Sequence, residues 1–116
     1  MKRRHSLFLK DILDAIERIE RFAGEVSFEE FVQNELLNSA VVRQLEIIGE
    51  ATKNLPAVIR ARYPDVPWSS MARMRDRLSH AYWIVDYEVV WKVIKEELPA
   101  LKPRILEIYQ EEALDD

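Results

Sequence analysis

The stretch from Asn34 to Leu55, NELLNSAVVRQLEIIGEATKNL, decides the fold class. Leu36, Leu37, Ala40, Val41, Leu45, Ile47, Ile48, Ala51 and Leu55 recur at helical spacing but spread beyond one stripe. The segment therefore predicts a helix that is central or also faces a partner. Upstream, Ser27 and Glu30 form a capping-box pattern that predicts a short helix to about Gln33. Before it, Leu9, Ile12, Leu13, Ile16, Ile19 and Ala23 follow a three-four spacing, and Gly24 stands where a left-handed helix stop is expected.

Downstream, Pro56 ends the central helix or starts a new turn, and Tyr63-Pro64-Asp65-Val66-Pro67 is the clearest loop signal. A helix is predicted from Pro67 or Trp68 to about His80. Asp86 then caps the segment Tyr87 to Leu98, and Pro99 breaks or kinks it. A last helix from Pro99 or Leu101 to about Glu112 is expected to fray into an acidic tail that starts near residue 110. No strand pattern competes. The expectation is an all-α bundle of four to five helices in a single domain, residues 1–116.

Composition narrows the function. With 116 residues, 48% hydrophobic and 33% charged, the chain has room for one core and is neither disordered nor membrane-embedded. No apolar run approaches the ~20 residues of a bilayer span. The basic start Met1-Lys2-Arg3-Arg4-His5 leads into Leu7-Phe8-Leu9-Lys10-Asp11 rather than a signal-peptide core, so a cytoplasmic location without membrane contact is expected. Zero cysteines exclude thiol nucleophiles and thiolate metal sites, and two histidines far apart, His5 and His80, do not suggest a metal cluster. Two glycines, Gly24 and Gly49, cannot write a phosphate-cradling loop or a dinucleotide fingerprint. The expected chemistry needs no metal and no cofactor.

The net charge of −4 is unevenly spread. Glu107, Glu111, Glu112, Asp115 and Asp116 make the end acidic, whereas Arg60, Arg62, Arg73, Arg75 and Arg77 outnumber Asp65 and Asp76 between Leu55 and Tyr82. That basic stretch could meet phosphate, or could be a solvated helix face.

On an ideal helix with ~100° per residue, Trp68, Met71, Ala72, Leu78 and Tyr82 share an apolar face, and Arg75 falls within it. A guanidinium there needs a partner. Glu46 or Glu50 of the central helix could supply a structural ion pair; alternatively Arg75 binds an anion in a cleft or interface. Asp76 and His80, four apart, share the opposite face, where the carboxylate can fix the imidazole tautomer; the plainer alternative is a surface histidine beside an incidental neighbour. On a continuous helix Arg75 and His80 lie about 140° apart. They converge only if the helix unwinds before His80 or a second copy supplies one of them.

Arg75-Asp76-Arg77-Leu78-Ser79-His80-Ala81-Tyr82 resembles the arginine, four residues, histidine, one residue, tyrosine signature of HepT-like toxins of the HEPN superfamily. Leu45-Glu46-Ile47-Ile48-Gly49-Glu50-Ala51, Pro67-Trp68 and Val90-Trp91 are similar too, and the resemblance runs from about Leu7 to Leu106. It implies an α-helical homodimer whose arginine and histidine line a cleft at the dimer interface, acting as a metal-independent endoribonuclease. It further implies a type VII toxin-antitoxin system, with a nucleotidyltransferase antitoxin that silences the toxin by adenylylating Tyr82. Arg75, Asp76 and His80 are then the catalytic set, His80 moving protons, Arg75 binding the scissile phosphate and Asp76 orienting His80. Arg73 or Arg77 would hold flanking phosphates of the RNA. Two other readings stand beside this one: a catalytically silent helical dimer that regulates a nucleotidyltransferase, and a nucleotide- or RNA-binding surface without hydrolysis.

Overall fold

The computed structural model describes residues 3–81 and 84–115, with the backbone alone for His80 and Ala81. Helix α1 (His5–Ala23) and helix α3 (Glu35–Asn54) pack lengthwise, and the long helix α8 (Leu98–Asp115) closes on α1. Leu9, Ile12, Ile16 and Ile19 of α1 meet Val41, Leu45 and Ile48 of α3 in a core that Ile105 and Ile108 of α8 complete; each is at most 2% exposed. The α2 segment (Phe28–Gln33) begins with the expected capping box: the Ser27 hydroxyl accepts from the Glu30 amide and Glu30 accepts from the Ser27 amide, both at 3.1 Å. Asn34 caps α3 through the Leu37 amide at 3.0 Å. Phe31 of α2 sits between the rings of Tyr87 and Trp91, tying α2 to the helix that follows the site.

Two expectations about helix ends are corrected. Gly24 is right-handed, with φ −62° and ψ −31°. Its amide still donates to Glu20 O at 2.9 Å, and the carbonyls at the very end of the helix are met by a distant side chain: the Lys95 ammonium donates to Ala23 O at 3.0 Å and Gly24 O at 3.3 Å. Nor does the acidic end unravel. Helix α8 runs to Asp115 because Glu112, 1% exposed, accepts from the Tyr63 hydroxyl at 2.6 Å and from Arg62 at 2.7 and 2.8 Å, and meets His5 Nε2 at 3.2 Å. Burial by itself would raise the Glu112 pKa, but hydrogen bonds from Tyr63 and Arg62, the Arg62 charge and His5 outweigh it and hold the carboxyl below its usual range. The same burial, with the bonds to Glu112 and Glu111, pushes the Tyr63 phenol up.

Pro99 does not interrupt the last rod. Helix α7 (Tyr87–Lys92), capped by Asp86 through the Glu88 and Val89 amides at 3.0 and 3.2 Å, passes into a π turn over Val93–Glu97 and then into α8. The Leu98 amide bonds to the Val93 carbonyl five residues back. A wider turn just before Pro99 accommodates the residue that lacks an amide donor.

The largest departure from expectation lies between Trp68 and Val85. The predicted single helix is two short pieces, α5 (Trp68–Ala72) and α6 (Met74–Arg77), followed by a two-stranded antiparallel hairpin, β1 (Ser79–Ala81) and β2 (Ile84–Val85). Arg73, at φ −95° and ψ 21°, breaks the helix; the Asp86 amide then bonds to the Leu78 carbonyl at 2.7 Å and closes the hairpin base. Strands of three and two residues are too short to show alternation in sequence. The preceding α4 (Ala57–Arg62) and the Tyr63–Pro67 loop are held by the Trp68 indole, which donates to Tyr63 O at 2.9 Å.

Candidate active site

The site residues ride on the broken segment. Trp68, Met71, Met74 and Leu78 are its buried face, each at most 6% exposed. Met74, not Arg75, continues the apolar stripe, because the break at Arg73 turns α6 relative to α5. Arg75 is therefore exposed, which corrects its expected place inside the apolar face. Asp76 and Arg73 are exposed as well. Core anchors at positions 74 and 78 leave Arg75 and Asp76 facing outward between them.

Arg75 opens on a cleft of about 230 Å³ between α3 and the α5–α6 junction, lined also by Arg43, Glu46, Gly49, Glu50, Lys53 and Ala72. The cleft exists because Gly49 lets the junction lie against α3: a Cβ there would stand 3.3 Å from both the Met71 carbonyl oxygen and Met74 Cβ. The expected ion pair from Arg75 to Glu46 or Glu50 does not form. Arg75 shares the cleft with both carboxylates and, among the described residues, is paired with neither, while Glu50 meets Lys53 at 3.5 Å. An unpaired, solvent-facing guanidinium beside other cations is equipped to take an anion.

Arg43, Glu46, Glu50 and Lys53 were not singled out together from sequence. Their signal was present as a polar stripe at three-four spacing alongside the apolar stripe of α3.

His80 lies on β1, beyond the end of α6. The helix has unwound before it, so the angular separation imposed by a continuous helix no longer applies; the imidazole itself is outside the described residues, as is Tyr82. Arg77, expected beside a flanking phosphate, donates to Glu97 Oε2 of the π turn at 2.6 Å. Among the described residues no group of acidic and histidine side chains is arranged to hold a metal ion, and no helix is long and apolar enough to cross a membrane.

A family model described as Ribonuclease HepT-like matches residues 12–108, which include α3, the cleft and the whole motif segment. The chain belongs to the HepT-like ribonuclease family. The HepT-like "Probable ribonuclease HepT" of Thermococcus cleftensis is 52% identical over 102 residues, 88% of this chain and 93% of its own length. A protein with RNase in its name from Caldanaerobacter subterraneus subsp. tengcongensis is 47% identical over 106 residues, 90% of this chain and 94% of its own. Another such relative, from Methanocaldococcus jannaschii, is 43% identical over 110 residues, 95% and 91% of the two chains. No solved structure gives a significant match. The helical bundle is that of an all-α HepT-like protein, and membership makes this chain an RNA-cleaving enzyme by class.

Proposed function

We propose that this chain is the toxin of a type VII toxin-antitoxin pair, an endoribonuclease that cleaves without a metal through Arg75 and His80. The carrying observation is the outward-facing Arg75 in a polar cleft, unpaired among the described residues, with the helix ending before His80. Metal-free RNA cleavage needs a proton taken from the 2′-hydroxyl, charge stabilised on the phosphorane-like transition state and a proton given to the leaving 5′-oxygen. His80 moves the protons, the task to which an imidazole, with a reference value near ~6.5, is suited in either direction at neutral pH. Arg75 binds the scissile phosphate, Asp76 orients His80, and the exposed Arg73 holds a flanking phosphate.

In a homodimer the two copies of the motif share one cleft and divide the acid and base roles. Support for pairing comes from exposed apolar side chains. Leu36 of α3 is 84% exposed and Ile84 of β2 is 51% exposed, and the Tyr87 hydroxyl of α7, just after β2, donates to Asn38 of α3 at 3.3 Å. A nucleotidyltransferase antitoxin silences the enzyme by adenylylating Tyr82, placing bulk and negative charge beside the phosphate site.

The deciding experiment is cleavage of labelled RNA in EDTA by the natural chain, Arg75→Ala and His80→Ala, alongside growth after induced expression. Cleavage and toxicity confined to the natural chain support the reading; equal activity in His80→Ala rejects it. Mass spectrometry of Tyr82 after incubation with the co-encoded nucleotidyltransferase and ATP tests the silencing step, and a gain of one or more AMP units is expected. A monomeric mass in solution at working concentration contradicts the shared cleft.

A further inference from the structure

A helix of four residues has no stability of its own, because nucleation costs more than one turn returns. The orientation of α6 must come from what holds it. Met74 and Leu78 anchor one side in the core. They define an axis about which the turn can still rock. The third attachment is Arg77, whose Nη2 lies 2.6 Å from Glu97 Oε2, with both side chains largely covered, at 26% and 34% exposure. Its Nη1 faces Met74 Sδ at 3.9 Å. Glu97 is the last residue of the π turn, and π segments inside helices are frequent at functional sites.

We propose that Arg77 and Glu97 are positioning residues: their ion pair sets the roll of α6 about the Met74–Leu78 axis and so aims Arg75 and Asp76 at the substrate. This rests on the reading of Arg75 and His80 as the cleaving pair. It gives Arg77 a task different from that of a flanking phosphate contact. The guanidinium is committed to a carboxylate, and an RNA phosphate would have to displace Glu97 to reach it.

The two roles separate under charge reversal. Arg77→Glu and Glu97→Arg are each expected to lower kcat for RNA cleavage roughly ten- to a hundredfold, the scale on which misaiming by about 1 Å acts, with KM little changed. The double variant, which rebuilds the pair in reverse, is expected to recover to within about threefold of the natural chain, because coupling within one pair is what a double-mutant cycle reads. A phosphate contact gives another pattern: the double variant stays impaired, KM rises, and the salt dependence of RNA binding falls by about one phosphate equivalent. That pattern, or full kcat in Glu97→Arg alone, overturns the proposal.

Hydrogen exchange in Glu97→Gln supplies a readout independent of catalysis and of the harsher variants' folding. The Arg77 and Leu78 amides, bonded to Arg73 O and Met74 O at 3.1 Å each, are expected to exchange at least about tenfold faster while the α1–α3 core is unchanged. Unaltered exchange there also overturns it. Should the natural chain cut no RNA, the ribonuclease reading fails while this exchange measurement still decides whether the pair holds α6.

Discussion

The two charged regions of this small bundle treat their charges in opposite ways. Around Glu112, the carboxylate is buried and completely engaged: Tyr63, Arg62 and His5 surround it, and Arg104 clamps the adjoining loop through Asp65 at 2.7 Å. In the cleft beside α6, Arg75 is exposed and unpaired among the described residues, although Glu46 and Glu50 line the same cavity. A buried charge must be matched within the protein or the fold does not form. An exposed one can stay uncommitted, and a group in that state is free to meet a ligand. The first region is structural chemistry, and the second is the one the proposed function assigns to substrate.

Substitutions at four positions test that division, in order of expected size. Arg75→Ala should reduce RNA cleavage by about a hundred- to a thousandfold, the usual consequence of losing a charge-stabilising donor, with thermal stability altered by less than about 0.5 kcal/mol, as at other exposed sites. Cleavage kinetics and a melting curve on the same sample check both halves. A large stability loss would mean that the cleft arginine is structural after all.

Glu112→Ala should do the reverse, costing about 2 kcal/mol by leaving Tyr63 and Arg62 without their acceptor while cleavage per folded molecule is retained. The same group carries a pH signature. Its folded pKa lies below the unfolded value, so the stability it contributes is complete above about pH 4.3, the ordinary glutamate range, and is lost as pH falls through the folded pKa. Denaturant titrations from pH 6 downward should show a shallower acid loss in Glu112→Gln than in the natural chain, and parallel curves would remove Glu112 from the account.

Gly49→Ala is intermediate and touches both properties. The added methyl presses on the Met71 carbonyl and Met74 Cβ, at an expected cost of about 1 kcal/mol, and moves α6 away from α3. Chemical denaturation should therefore report a modest loss, and cleavage a larger one than the stability change explains. Lys95→Ala is the smallest. It strips the Ala23 and Gly24 carbonyls of their donor and removes an ammonium 4.7 Å from the Trp91 ring centre, for about 0.5–1 kcal/mol and no change in cleavage.

Much of the fold was legible in local pattern. The three-four rows of α1 and α3, the Ser27–Glu30 capping box and the Asp86 cap all depend on neighbours within one or two turns, and each formed as expected. The motif was legible as residue types at a spacing. Its geometry was not. Read as one helix, Trp68 to His80 puts Arg75 in the core; the break at Arg73 substitutes Met74 and turns Arg75 out to the cleft.

The amino-acid sequence by itself determined the helical class, the main helix starts and the presence of an arginine, an aspartate and a histidine within six residues. These follow from propensity and periodicity, which act over a few residues. Tertiary structure alone decided that the helix ends before His80, that Arg75 faces the cleft opposite α3 unpaired among the described residues, that Arg77 meets Glu97, and that Glu112 is buried. Each of those depends on contacts between residues 20 to 107 positions apart or on how a packed core turns a short segment, and such contacts leave no local period in the chain.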